Sequence, residues 1–343
     1  MDISDPVVKF DVQHYLDSGG TGFGNCAILG ASGMLSSYLL DFISSVNLNC
    51  GEKSKVFGFS RSKSLYIKNL SQRPNVEIYS LIQLEQLLNM EEINVIHAAS
   101  PSSLTNLVND THSLIESNVK ITSLAQSYLK KTGGRFTFFS SGEVYGHSAT
   151  IPTKESDYSP YDHLDIKGFY PEVKKYVELI SKMWFEDTNL PVTILRIFHT
   201  FGPGIRNNDT RIFSSAIYSM LEKNEINLNS SGLATRTFLY SSDLASAISL
   251  SSKKEGFEVF NVGGQDEMKI IDFANLVATY SDNCVVRSIE SPSHQLQSNS
   301  NILRGYPNID KLKSIGWEPT VPIAEAINRT IRSVQWRTLN QLS

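Results

Sequence analysis

The sequence predicts an α/β fold, a doubly wound parallel sheet followed by a smaller carboxyl-terminal lobe, on three observations. From residue 25 to about residue 200, short apolar runs alternate with stretches of helical apolar spacing. Fully apolar strands alternating with helices mark a parallel sheet covered on both faces. The first of these runs ends in a glycine-rich turn that opens an amphipathic stretch. After about residue 200 the rhythm loosens and loops lengthen, as in "FGPGIRNNDTR" and "SPSHQLQSNSNILRGYP". A chain of 343 residues suits one large α/β unit or two lobes.

Taken in order, residues 1–24 are a short amphipathic lead-in that ends in the glycine-rich "SGGTGFGN". The predicted strands are "CAILG", "KVFGFS", "VEIYSL", "NVIHAAS", "RFTFFSS" and "PVTILRIF". Helical spacing runs from Leu35 to Val46 and from Leu114 to Leu129. Residues 25–200 are expected to form mainly the dinucleotide-binding domain. Residues 201–343 are expected to form mainly the substrate lobe, with parts packing back on the sheet. No internal repeat or linker-like boundary separates them.

Composition narrows the classes. With 41% apolar and 19% charged residues the chain is expected to fold rather than stay disordered. A net charge of −4 gives no electrostatic case for nucleic acid. Three widely spaced cysteines, Cys26, Cys50 and Cys284, form neither a disulfide framework nor a zinc pattern, and read as reduced thiols. No stretch reaches the roughly 20 apolar residues needed to cross a bilayer. The first residues lack the basic-then-apolar order of a signal peptide. A cytoplasmic protein without nucleic-acid or membrane partners is expected.

Three stretches carry chemistry. "LGASGMLSS" places Gly30 and Gly33 at the first two positions of a dinucleotide-type turn, with Ser36 at the third. Glycine lets the backbone turn tightly and lets a pyrophosphate reach the amides at a helix N-terminus. The second strand ends in Ser60, Arg61 and Ser62 with no acid nearby. An acid there would receive the adenosine ribose, whereas arginine accommodates a 2′-phosphate, so NADP is favoured over NAD. An ordinary exposed basic loop is the alternative. In "YPEVKKYVE", Tyr170 and Lys174 lie four apart and share a helix face. A lysine there lowers the phenol's pKa and can hold a ribose. Pro171 requires Tyr170 to sit in the first helical turn. Finally, "RFTFFSSGEVYG" breaks from strand into two hydroxyls, a glycine and a lone acid, where open α/β sheets bind ligands.

These motifs, with "HAAS", "RIFHTFGPG", "GLATRTFLYSSDLASAI", "NVGG" and "NILRGYPNIDKLKSIGWEPTVPIAEAI", resemble the extended short-chain dehydrogenase/reductase superfamily. Within it they resemble the NAD(P)-dependent nucleotide-sugar epimerase/dehydratase family, over about residues 25 to 330 in the family's order. The look is that of the UDP-glucuronate decarboxylase and dTDP-glucose 4,6-dehydratase branch. The resemblance implies a Rossmann-type sheet. It implies that Tyr170 is the base for a sugar hydroxyl, with Lys174 lowering its pKa and Ser141 sharing its hydrogen bond. It places Gly30, Gly33, Met34, Arg61, Ala98, Ala99, Asn118 and Ser140 along the cofactor with Tyr170 and Lys174. It places Ser100, His199, Arg211, Arg236 and Arg304 along a nucleotide-diphosphate sugar. A surface-loop reading stays open for any one of these arginines, Arg211 above all. So does a structural role for His199, which stands where many relatives have asparagine. His97 is assigned to structure or cofactor packing. A homodimer through the helices around Leu114–Leu129 and Tyr170–Phe185 is a further family expectation, as is a role in surface polysaccharide precursor synthesis.

Glu143 matches the acid that moves a carbon-bound proton in related dehydratases, but Gly142 stands where they carry a second acid. That departure puts dTDP-glucose-type dehydration in doubt, and a loop-capping role for Glu143 is the alternative. The expected enzyme oxidises a nucleotide sugar at carbon 4. It then eliminates water, epimerises or decarboxylates. An NADPH-dependent 4-keto reductase and a non-catalytic dinucleotide-binding regulator are the competing readings.

Overall fold

The computed structural model describes residues 4–62, 64–81, 83–84, 92–100, 111–146, 150–157, 164–288 and 304–342. Pro101, Ser102 and Ser103 of "HAASPSS", and residues 291–303 of the long carboxyl-terminal loop, lie outside them. Strands β1 (Cys26–Leu29), β2 (Val56–Ser60), β3 (Val76–Ser80), β4 (Asn94–His97), β5 (Arg135–Ser141) and β6 (Val192–Ile197) follow the apolar runs in order. Apart from the half-buried edge strand β3, these strands are too apolar to face water on either side, so helices cover both faces. Beyond them come β7 (Thr200–Phe201), β8 (Glu225–Leu228), β9 (Thr235–Thr237), β10 (Leu239–Tyr240) and β11 (Phe257–Val262). Then follow β12 (Glu267–Lys269), β13 (Val285–Ser288) and β14 (Arg304–Gly305).

The main sheet has seven parallel strands in the order β11-β6-β5-β4-β1-β2-β3. The order reverses at β1, which lies between β4 and β2, so the crevice beside it is where a doubly wound sheet takes a ligand. β11 comes from beyond residue 200 and pairs with β6 from Phe257↔Val192 to Val262↔Ile197. The later part of the chain therefore completes the sheet and also builds a separate cluster around Phe201, Phe213, Phe238 and Phe273. The small sheet β12-β9-β14 roofs that side.

The lead-in is a helix, Pro6–Asp17, with Asp5 capping its N-terminus at Val7 N. Val8 and Val12 are buried in the same cluster as Tyr38, Phe42 and Leu244. Asp5 also accepts from Ser333 and from Arg337 Nε at 2.9 Å. Asp11 accepts from Tyr38, Tyr240 and Arg329, each at 2.9 Å. These bonds tie the first helix to the last, Ile323–Leu339. Among the described residues no helix is long and apolar enough to cross a membrane.

Candidate active site

The first turn is shaped by a close approach. Gly30 has φ +88°, and a Cβ there would lie 2.6 Å from the Ala99 Cα. Only glycine lets the loops after β1 and β4 touch at the switch point. Gly33 caps the 16-residue helix Met34–Asn49 without a side-chain hydrogen bond, which leaves the helix start to backbone amides. Ser36 is buried at the third position, with its Oγ 3.4 Å from where a Gly33 Cβ would fall. Behind the turn, Ser60 Oγ bonds Ser32 Oγ at 2.7 Å. Exposed Arg61 donates to Ser113 Oγ at 3.0 Å. A glycine-rich turn, a bare helix start and a second-strand end that carries Ser60 and Arg61 rather than an acid fit a dinucleotide.

From that helix start a cleft of about 410 Å³ runs along the carboxyl ends of β5 and β6 to β9 and β14. Ser141 ends β5 and caps the short turn Gly142–Tyr145 by accepting from Glu143 N at 3.2 Å. The helix Phe169–Thr188 presents Tyr170 and Lys174 to the same cleft. Tyr170 is its second residue, so Pro171 lies in the first turn, where its missing N–H costs no helical bond.

Burial dominates the proton affinities here. It pushes the Tyr170 phenol up to about 12, against a hydrogen bond from Ser141, while nearby Glu143 raises it further and Arg211 lowers it. The sequence argument expected Lys174 to hold this pKa down. In the folded chain burial outweighs it, because Lys174 is itself buried and brought down to about 7. The Lys174 ammonium donates to the Phe139 carbonyl at 2.8 Å and lies 5.7 Å from the centre of the Tyr170 ring. Glu178, one turn further on, favours its charged form. Glu178 is clamped in turn by Arg196 Nη2 at 2.7 Å and Nε at 3.1 Å, and accepts from Ser140 Oγ.

Glu143 also lines the cleft, its carboxyl pushed up by burial and pulled back by Arg236. Arg236 donates through Nε to His199 Nε2 at 3.1 Å and through Nη1 to the Thr235 carbonyl at 2.8 Å. Gly142 is as informative as its neighbour. A Cβ there would lie 2.8 Å from the Phe198 ring, so any side chain at this position collides with Phe198.

Thirteen of the residues singled out from the sequence therefore face one cleft: Gly33, Met34, Ala98, Ser100, Ser140, Ser141, Glu143, Tyr170, Lys174, His199, Arg211, Arg236 and Arg304. Arg211 is held by Asp209, and Arg304 by Glu267 at 2.6 and 2.7 Å, at the cleft's edge. Four lie behind or beside it: Gly30, Ala99, Arg61 and Asn118. Asn118 sits in a π-helical turn, Glu116–Lys120, and donates to Ser100 Oγ at 3.1 Å. Its carbonyl faces His97 Nε2 at 3.3 Å. His97 is buried and held down to about 3, a neutral packing residue.

Sequence reasoning missed Glu178, Arg196, Phe198 and Arg206, which donates to the Ser32 carbonyl across the dinucleotide turn. Two of them left signals. Glu178 continues the face of Tyr170 and Lys174 at the same spacing, and Arg196 is a lone charge inside an apolar strand, which needs a buried partner.

One cleft thus joins a glycine-rich strand-to-helix turn to a serine, a tyrosine and a lysine. The chain belongs to the NAD dependent epimerase/dehydratase family, whose model matches residues 26–263. It is 28% identical over 305 residues to UDP-glucuronic acid decarboxylase 1 of Xenopus tropicalis, covering 89% of this chain and 70% of that one. Its fold is shared with UDP-N-acetylglucosamine 4-epimerase from Methanobrevibacter ruminantium M1, solved with UDP-N-acetylmuramic acid. That match has a TM-score of 0.78 at 23% identity and covers 94% of this chain and 100% of that one. It is shared also with UDP-glucuronic acid 4-epimerase from Bacillus cereus, solved with UDP-glucuronic acid and NAD. Here the TM-score is 0.75 at 20% identity, over 91% and 99%. The protein is an enzyme of the NAD dependent epimerase/dehydratase family.

Proposed function

We propose that the protein decarboxylates a UDP-linked hexuronic acid by transient oxidation at carbon 4, supplying a surface polysaccharide precursor. The observation that carries this reading is the contact of Gly142 with Phe198. Dehydration of the dTDP-glucose type asks for an acid beside Glu143 to protonate the departing hydroxyl, and a Cβ at Gly142 would lie 2.8 Å from the Phe198 ring. The similarity to UDP-glucuronic acid decarboxylases supports the same outcome.

The dinucleotide, held at Gly33, Met34 and the helix start, supplies the oxidation at carbon 4 and its later reversal. Tyr170 takes the proton from the carbon 4 hydroxyl, relayed through Ser141. Lys174, with a proton affinity brought near neutrality, would hold the ribose and, as a free amine, take the phenol's proton beforehand, so that Tyr170 accepts the hydroxyl proton as a phenolate and gives it back when the ketone is reduced. The carbon 4 ketone makes the carbon 5 carboxylate a β-keto acid. The carbon–carboxylate bond breaks, carbon dioxide leaves, and the electron pair moves onto the carbon 4 oxygen. Glu143, whose raised proton affinity keeps an acid form available, gives carbon 5 its proton. Arg211, Arg236 and Arg304 balance the diphosphate and carboxylate charges, with Ser100 and His199 beside them.

We also infer that NADP binds more tightly than NAD, since Ser60 and Arg61 replace the ribose-binding acid. A homodimer is inferred from Tyr176, Leu179 and Met183, all exposed along one face of the helix Phe169–Thr188, with Ile115 nearby in sequence to the helix pair. Light scattering on the native chain checks it; a monomer at high concentration refutes it. Residues 25–200 would form mainly the cofactor half and 201–343 mainly the sugar lobe, in a cytoplasmic enzyme.

Mass spectrometry of products from UDP-glucuronate and from UDP-, dTDP-, CDP- and GDP-hexoses tests the reading. Decarboxylation of UDP-glucuronate without stoichiometric cofactor use is expected. Stoichiometric use would identify a reductase, and an inert protein a regulator. Glu143→Gln sharpens the result: oxidation at carbon 4 persists, while protonation at carbon 5 slows and the 4-keto sugar accumulates.

A further inference from the structure

We propose that His199 is a positioning residue: its neutral imidazole accepts from Arg236 Nε and so aims the guanidinium across the cleft at Glu143. This rests on the reading of Glu143 as a proton-transfer group, and it concerns which residue tunes that group. Arginine can only donate, so the 3.1 Å contact requires a lone pair on His199 Nε2 and puts the imidazole proton on Nδ1. His199 Nδ1 is buried and has no hydrogen-bond partner among the described residues. Burial, with Arg236 and Arg211 close by, holds this imidazole down to about 3.

The surroundings fix the pair. Phe238 meets the imidazole edge-on, with ring centres 6.2 Å apart. On the other side is Gly305, where a Cβ would lie 3.1 Å from Arg236 Cδ and 3.7 Å from His199 Cε1. Gly305 pairs with Arg236 across β14 and β9, so a side chain there would press on Arg236 Cδ. With Nε held by His199 and Nη1 held by the Thr235 carbonyl, the guanidinium plane is set. The coupling of Arg236 to Glu143 is visible from both partners: Arg236 lowers Glu143, and Glu143 raises Arg236. The other charged or titratable groups lining this cleft are Tyr145 in the turn after β5, Tyr170 and Lys174 on the helix Phe169–Thr188, Arg211 before the helix Ile212–Lys223, Arg304 on β14 and Tyr306 just after it.

Two measurements test the assignment. In the native protein, nitrogen NMR of the labelled imidazole is expected to show a neutral Nδ1–H tautomer with no titration while the chain stays folded. A Nε2–H tautomer, or titration near the ordinary histidine range, overturns it without any variant. In His199→Phe, which keeps a ring and removes the acceptor, carbon NMR of the Glu143 carboxyl is expected to titrate higher than in the native protein. His199→Gln, which restores an acceptor, is expected to bring it back toward the native value. Turnover falls about ten- to a hundredfold in the Phe variant, the worth of one hydrogen bond to a charged group. A Glu143 titration unmoved by His199→Phe contradicts the proposal. Because both NMR readouts need no substrate, an error in the proposed reaction shows instead as loss of product with the titrations as predicted.

Discussion

Asp11 and Glu143 are both carboxylates taken out of water, and their surroundings differ in kind. Asp11 receives three side-chain donors, Tyr38, Tyr240 and Arg329, from three separate elements. Glu143 stands at a cleft, opposed through space by Arg236, beside a phenol and a lysine whose proton affinities are also displaced. In the clasp between the chain's two ends, the donors around a buried charge hold the fold together. Desolvation outweighs the donors at both carboxylates, but in the cleft the displaced groups line an open space and include Lys174, brought near neutrality, where a proton can be passed on. Substitutions should therefore separate stability from turnover in opposite directions at the two places.

The largest expected effect is at Tyr170. Tyr170→Phe removes one hydroxyl from a buried site, so turnover falls roughly 10²–10⁴-fold while the melting temperature holds or rises. Parallel loss of both would merge the two regions. Asp11→Ala does the reverse. Arg329 keeps Glu325, but the Tyr38 and Tyr240 hydroxyls lose their acceptor, which costs about 1–3 kcal/mol of stability in denaturant melts, with turnover per folded molecule retained. Loss of turnover without loss of stability would contradict a purely structural clasp.

Next come the pH signs. Asp11 is raised from 3.8 to about 7 by burial, so its contribution is full below 3.8 and is lost as pH rises through about 7. Lys174 is lowered from 10.5 to about 7, so between those values the unfolded chain holds more protons and stability rises with pH. Asp11→Asn and Lys174→Met should each remove their own slope from a pH series of melts. A series unchanged by Lys174→Met would mean that the cleft does not strain its lysine. The smallest effect is at exposed Arg61. Arg61→Ala should narrow the gap between NADP and NAD binding by calorimetry, and tighter native binding of NAD would overturn the preference.

The sequence disclosed the two regions unequally. Six sheet strands were legible because each is a short, mostly apolar run set between helical stretches in the alternating part of the chain. β11 was not, because "FEVFNV" carries a glutamate and an asparagine that serve Lys311 and the Tyr145 hydroxyl. Ser141, Glu143, Tyr170 and Lys174 were legible because two short segments hold them. The clasp was invisible: residues 1–24 read as a bare amphipathic lead-in, since Asp5 and Arg337 are 332 residues apart. Phe198 was equally hidden, its importance depending on the missing side chain at Gly142.

The central claim is that the cleft's displaced protons serve a decarboxylation at carbon 5, and turnover of UDP-glucuronate in deuterated water tests it most directly. The expected product has lost carbon dioxide and carries one deuterium at carbon 5, with Glu143→Gln slowing its appearance. A product of unchanged carbon count without deuterium, the mark of simple inversion at carbon 4, would contradict it.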